Sequence, residues 1–204
     1  MVQRVMGRTA AYLLAIAWGA VPALAVFFCL LPWRKRRLER RGYTSSRRRE
    51  GAMALFWMFC GGMAILTLAP RWVVWSLVDI LHGYGWNVGR YPFFELGMVN
   101  WKLFQTFHFS AYFLAGNIVM FVPFGFFAAL LWRGCTWGRS LLSGLFLSGL
   151  IESFQLCVGR AFDIDDILLN VLGVLWGYGL WRLARRLAPG QMEKFHVRFN
   201  EEQP

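Results

Sequence analysis

The chain reads as an all-α protein, a polytopic membrane helix bundle of about five transmembrane helices. Three observations predict this. Apolar runs of about 20 residues, the length that crosses a hydrocarbon core as a helix, recur along the sequence. Only 16% of the 204 residues are charged, against about a quarter in soluble domains, while 57% are hydrophobic. Lys and Arg gather at the ends of the apolar runs rather than inside them.

Thr9 to Leu31 is the first run and carries no charge. Ala23-Leu24-Ala25 resembles a small-residue cleavage site, so a secretory signal is the competing reading. The run exceeds a signal core in length and only Arg4 and Arg8 precede it, so a retained helix is expected. Arg34 to Arg49 follows as a basic loop; a lipid or RNA patch is one reading of it, a topology determinant the preferred one. Gly51 to Ala69 is the second span, stopped by Pro70.

Arg71 to about Ser110 is too polar and broken to span. Its Trp72, Trp75, Trp86, Tyr91 and Trp101 suit a headgroup region, and Trp72 to Leu81 is expected as a short interfacial helix. Trp101 to Phe113 is expected as a second such piece or as an extension of the next helix. Phe113 to Trp132 is the third span, with Asn117 near one end and a kink expected at Pro123. Arg139 to Val158 is the fourth; Gly138, Ser143, Gly144, Ser148 and Gly149 are small enough to let helices approach. Ile164 to Ala184 is the fifth, with Gly173, Gly177 and Gly179 of the same kind. The tail from Arg182 is expected to be soluble and frayed beyond Pro189. The organisation is thus a first helix and basic loop over 1–50, a membrane domain over 51–187 and a tail over 188–204.

Five spans place the termini on opposite sides. Sixteen of the 22 Lys and Arg fall on the side of the Arg34–Arg49 loop and the C-terminal tail, and six on the other. The basic side is expected to be cytoplasmic, putting the N-terminus outside and the C-terminus inside. The same placement turns the net charge of +11 into a membrane signature and argues against a nucleic-acid partner. Cys29, Cys60, Cys135 and Cys157, like His82, His108 and His196, are scattered. No metal site, disulfide framework or cofactor is expected, and the thiols are read as buried in helices.

The polar chemistry concentrates in Glu152 to Gly173, which holds four of the eleven carboxylates. Residues three and four apart share a helix face, so Ser148, Glu152 and Gln155 form one stripe and Asp163, Asp166, Asn170 and Gly173 another. A short loop carrying Arg160 joins the two helices, and Asn117 lies at comparable depth on the third span. These groups are expected to converge near the outer leaflet. A carboxylate within a membrane helix costs about 2.5–3.5 kcal/mol even on a lenient insertion scale, which makes Glu152 the residue hardest to explain by packing. Plainer readings stand beside the others. Asp163 suits a helix N-cap, Asp165 points off the stripe as a solvated loop acid, and Arg160 neutralises the acids. Gln155 and Asn170 suit interhelical hydrogen bonds.

The segments N-I-V-M-F-V-P-F-G (Asn117–Gly125), S-G-L-I-E-S-F-Q (Ser148–Gln155) and G-R-A-F-D-I-D-D-I-L-L-N-V-L-G (Gly159–Gly173) resemble the VanZ-like family of bacterial membrane proteins. Thr67-Leu68-Ala69-Pro70 resembles the family's T-L-x-P, and the resemblance covers about residues 50 to 185. The family often has Asn-x-x-Pro-Phe before the third span; here Asn100 stands with Lys102-Leu103-Phe104 and no proline. The resemblance implies an envelope role, and its founding member is associated with teicoplanin resistance. By position it singles out Asn117, Pro123, Gly125, Glu152, Gln155, Arg160, Asp163, Asp165, Asp166, Asn170 and Gly173.

Three functions compete. In the first, an outward polar pocket formed by Asn117, Glu152, Gln155, Arg160, Asp163, Asp165, Asp166 and Asn170 binds a lipid-linked envelope precursor, a glycopeptide antibiotic or a partner. In the second, a membrane enzyme modifies a lipid-linked substrate, with Glu152, Asp163 and Asp166 as candidate catalytic carboxylates and Arg160 holding an anionic headgroup; the lack of a His or Ser nucleophile motif weighs against it. In the third, the polar residues only pack and cap.

Overall fold

A computed structural model describes residues 2–69, 73, 80, 83, 96–104 and 111–199. Five helices are long and apolar enough to cross a membrane, so the chain is a multi-pass membrane protein. They are α1 (Val2–Glu39), α2 (Arg47–Leu68), α3 (Ala111–Leu131), α4 (Trp137–Cys157) and α5 (Ile164–Leu187). A short helix α6 (Pro189–Met192) and a 3-10 turn (Glu193–Phe195) follow. Among the described residues there are four two-residue strands: β1 (Tyr43–Thr44), β2 (Val99–Asn100), β3 (Phe162–Asp163) and β4 (Arg198–Phe199). The expected interfacial helix over Trp72–Leu81 lies largely outside the described residues, while Leu103 and Phe104 form a turn.

Side-chain caps set several helix starts. The Ser46 hydroxyl accepts from the Arg49 N–H, so α2 begins inside the basic segment, four residues ahead of the expected Gly51. Thr136 does the same for α4 by accepting from the Arg139 N–H, and Asp163 caps α5 by accepting from the Asp165 N–H. The helix α1 continues to Glu39 with Pro22 and Pro32 inside it, so the first part of the expected basic loop is helical. Arg34 there pairs with Glu50 at 3.3 Å, which holds the α1 end against the α2 start.

Helix α5 packs against both α3 and α4, α3 meets α2, and α1 lies along α2. The closest approaches are made through glycine. A Cβ on Gly173 would overlap the Ile118 carbonyl, one on Gly125 the Val174 carbonyl, and one on Gly177 the Val122 carbonyl. Gly19 and Gly61 bring α1 and α2 together in the same way. Of the small residues expected on α4, Gly144 and Ser148 face α5 or are buried, whereas Gly138 and Gly149 have nothing within 4 Å of an added Cβ and make no such contact.

Two apolar clusters fill the interior. Met63, Phe121, Ile151 and Val174 occupy one. Phe27, Met53, Phe56, Leu130, Tyr178 and Trp181 belong to the other, at the arginine-rich end. The tail is ordered further than expected. Beyond Pro189 it folds back so that Phe199 pairs with Tyr43 and Arg198 with Thr44 in an antiparallel ladder, and Ser46 donates to the Lys194 carbonyl at 2.8 Å. The four cysteines are free thiols, but none is fully buried as expected: Cys29 is exposed, Cys60, Cys135 and Cys157 are half-buried, and Cys135 lies outside the helices.

Candidate functional site

At the other end of the bundle, the end of α4 and the start of α5 carry the polar stretch. The α4 stripe Ser148, Glu152 and Gln155 is buried as one face. Glu152 is 1% exposed, and its Oε2 accepts from the Asp163 backbone N–H at 2.9 Å. That amide is the first beyond the joining loop, so the buried carboxylate holds the start of α5 against α4. Asp163 is the cap expected of it: Oδ1 accepts from the Asp165 N–H at 2.9 Å, and Oδ2 accepts from Asn100 Nδ2 at 3.1 Å.

The Asn100 contact comes from the connection between α2 and α3. Strand β2 lies parallel to β3, with Val99 opposite Phe162 and Asn100 opposite Asp163. The Gly97 N–H donates to the Leu156 carbonyl at 2.8 Å and the Phe162 N–H to the Met98 carbonyl at 2.9 Å. Gly97 sits so close that a Cβ there would collide with the Arg160 carbonyl. Residues 96–104 therefore form a cover over the α4–α5 loop.

This cover corrects the expectation for Asp165. Asp165 is not a solvated loop acid: it is 0% exposed, and its Oδ1 accepts from the Phe104 N–H at 2.8 Å. Phe104 takes a φ of 65°, which is uncommon for a residue with a side chain and turns its amide under the cover. Helical spacing alone places Asp165 off the stripe; the burial comes from a segment 61 residues earlier in the chain.

The remaining polar residues tie helices together. Asn117 on α3 donates to Asp166 Oδ1 on α5 at 2.6 Å. Asn170 donates to the Ser148 hydroxyl at 2.9 Å, joining the two stripes. Gln155 donates to the Thr67 carbonyl at 3.0 Å, and Arg160 Nη1 donates to the same carbonyl at 3.0 Å and to Leu66 at 3.3 Å. A helix C-terminus leaves carbonyls without intrahelical partners and carries partial negative charge, so a guanidinium there is doubly favourable. Arg160 thus closes the end of α2 as well as lying among the acids.

Asn117, Glu152, Asp163, Asp166 and Asn170 are therefore linked across α3, α4 and α5, and Gln155 and Arg160 attach α2. Asn100, Phe104 and Thr67 belong to the same network. Asn100 carried a sequence signal, an Asn at the family's position, which the missing proline obscured. Thr67 opens the T-L-x-P resemblance, but its part here is a backbone carbonyl, and that of Phe104 a backbone amide, which side-chain patterning does not reveal. Among the described residues no three of His, Cys, Asp or Glu are placed to hold a metal ion.

A model of the VanZ/LLP1 family matches residues 11–185. The chain belongs to the VanZ/LLP1 family. The match takes in α1, ahead of the motif-bearing part from about residue 50, in keeping with the Gly19–Gly61 contact that joins α1 to the bundle. The three VanZ-like motifs meet in one network. The Asn117–Gly125 segment supplies Asn117 and the glycine approach to α5, Ser148–Gln155 the buried α4 face, and Gly159–Gly173 the loop and cap. No curated protein and no solved structure matches the chain.

Proposed function

We propose that this VanZ-like protein is a non-enzymatic component of the bacterial cytoplasmic membrane whose polar cluster binds an envelope ligand at the outer face. The ligand class is a lipid-linked precursor or a glycopeptide antibiotic of the teicoplanin type, and binding alters glycopeptide susceptibility. The orientation follows from the Lys and Arg asymmetry, with the tail and the Arg34–Arg49 segment cytoplasmic. The observation that carries the reading is Asp166. It is half-buried, spends Oδ1 on Asn117, and makes no second hydrogen bond among the described residues. Its neighbours Asp163 and Asp165 are committed to Asn100 and to backbone amides. Asp166 is thus the acid left to accept from an amine or amide N–H, groups that glycopeptides and peptide-bearing lipid precursors both present.

The test is teicoplanin susceptibility of cells producing the wild type, Glu152→Gln or Asp166→Asn at matched membrane levels. The reading expects a protective effect of the wild type that Asp166→Asn abolishes. Equal susceptibility of all three strains and the empty control would overturn it.

A second reading, carboxylate acid/base chemistry on a lipid-linked substrate, is favoured by Glu152 and Asp166 belonging to one linked cluster. It expects a lipid species in membrane extracts that depends on Glu152. Identical extracts by mass spectrometry with and without the protein would remove it.

A further inference from the structure

The arginine-rich end of the bundle holds a second constellation that the polar cluster does not use. A cavity of about 320 Å³ lies between Trp132, Arg133, Trp181, Arg185 and His196. It adjoins a groove of about 440 Å³ that adds Arg182 and Arg186 and shares Cys135, Trp181 and Arg185. Arg182, Arg185 and Arg186 are exposed and make no ion pair among the described residues. Arg185 stacks on the Trp181 ring, with its guanidinium carbon 5.4 Å from the centroid. The acid at this site is Glu193, 3.9 Å from Arg133 with both side chains largely exposed.

Two buried polar atoms on the wall lack partners. Trp181 is 5% exposed and His196 8%, yet among the described residues Trp181 Nε1 and His196 Nδ1 have no hydrogen-bond partner. Buried donors are almost always satisfied, so each calls for an acceptor that the described residues do not supply. Indole N–H donates only, and the imidazole nitrogen donates in the tautomer that carries its proton there. Two such donors among four guanidiniums suit a phosphate oxyanion.

The surroundings identify the source of that phosphate. Trp176, Leu180, Leu183 and Leu187 run at helical spacing along α5, each at least half exposed. This stripe lies on the side of α5 away from Tyr178, Trp181 and Arg185, and it marks α5 as a lipid-facing helix up to the level of the arginines. Trp132 and Trp137, about half exposed, flank the same level, where aromatic rings mark a headgroup layer. A phosphate held by the arginines at that level sits in the headgroup layer, at the end of a membrane-spanning helix. We propose that this groove binds the phosphate headgroup of an anionic phospholipid, with Arg182, Arg185 and Arg186 at its mouth and Trp181 and His196 at its back.

The test is native mass spectrometry of the purified full chain, titrated with phosphatidylglycerol, phosphatidylcholine or inorganic phosphate. The wild type retains phosphatidylglycerol in preference to phosphatidylcholine. Replacing Arg182, Arg185 and Arg186 together by Gln weakens that retention about a hundredfold, at about fivefold per arginine near a headgroup layer. An Arg36→Gln/Arg37→Gln/Arg40→Gln protein, with the same charge loss on α1 and its following turn, keeps it. Retention by the first triple variant, or equal retention of phosphatidylcholine, overturns the proposal. Displacement of the lipid by millimolar inorganic phosphate overturns the lipid assignment in favour of a soluble phosphate. Should the variant fail to fold, the wild type still decides. Alkylation of Cys135, mapped by peptide mass, slows about fivefold in phosphatidylglycerol nanodiscs relative to phosphatidylcholine ones. Equal rates refute the site.

Discussion

Glu152 Oε2 and the backbone N–H of Asp163 are 2.9 Å apart, and through this contact a buried carboxylate on α4 holds the first residue before α5. An intramembrane acid is expected to face the bundle interior and find a partner, and here its hydrogen-bond partner is a backbone amide. Substituting Glu152 by Ala leaves that amide without its acceptor. We expect a loss of about 1–3 kcal/mol, read as a lower melting temperature in detergent. Glu152→Gln keeps an acceptor oxygen and should lose less than half as much. Equal losses would mean that the contact does not hold the loop.

The cover over the loop depends on Asn100. Asn100→Ala removes the Nδ2 donor to Asp163 Oδ2 and should expose Asp165 to solvent. Hydrogen exchange at the Phe104 amide should speed up about tenfold, matching a lost hydrogen bond of about 1.5 kcal/mol. Asn100→Asp should be worse, because it sets one carboxylate against another. Unchanged exchange in both variants would show that β2–β3 pairing alone holds the cover.

Glycine positions separate contact from mere presence. Gly173→Ala places a methyl against the Ile118 carbonyl and should cost about 1–3 kcal/mol or more, as overpacking does. Gly149→Ala meets nothing within 4 Å and should be neutral or stabilising by up to about 1 kcal/mol through helix propensity. Comparison of the two melting temperatures checks the α3–α5 interface directly.

His196 supplies a pH dependence outside the spans. Burial pushes its imidazole below the ordinary value of 6.5, Arg133 adds to the shift, and Glu193 opposes it. A folded state that resists protonation is favoured above the ordinary value, and that stability is lost as pH falls through 6.5 toward the lowered folded value. Between about pH 7.5 and pH 5.5 the wild type should therefore lose more thermal stability than His196→Gln. Parallel curves would assign the acid sensitivity elsewhere.

Much of this architecture is legible in the amino-acid order. Run length and charge placement yield the five spans, because a bilayer imposes its thickness on every crossing helix. Helical spacing yields the two polar stripes, and Asp163 at the start of α5 reads as a cap because the chemistry of capping is local. The family motifs mark the same residues. Boundaries within the basic segment are less legible: α1 and α2 extend into it because Arg34 finds Glu50 and Ser46 finds the Arg49 amide.

Only the tertiary structure decided which acids are committed. Asp165 looks solvated by spacing, yet residues 96–104 bury it. Arg160 looks like a counter-ion, yet it also closes the end of α2. Gly138 and Gly149 look like packing positions, yet an added Cβ at either would meet nothing, whereas Gly144 and Ser148 on the same helix meet the core. The physical reason is common to all four. Periodicity reports which face a residue occupies, whereas commitment depends on backbone groups brought from distant segments, and backbone carbonyls and amides carry no signature in the sequence.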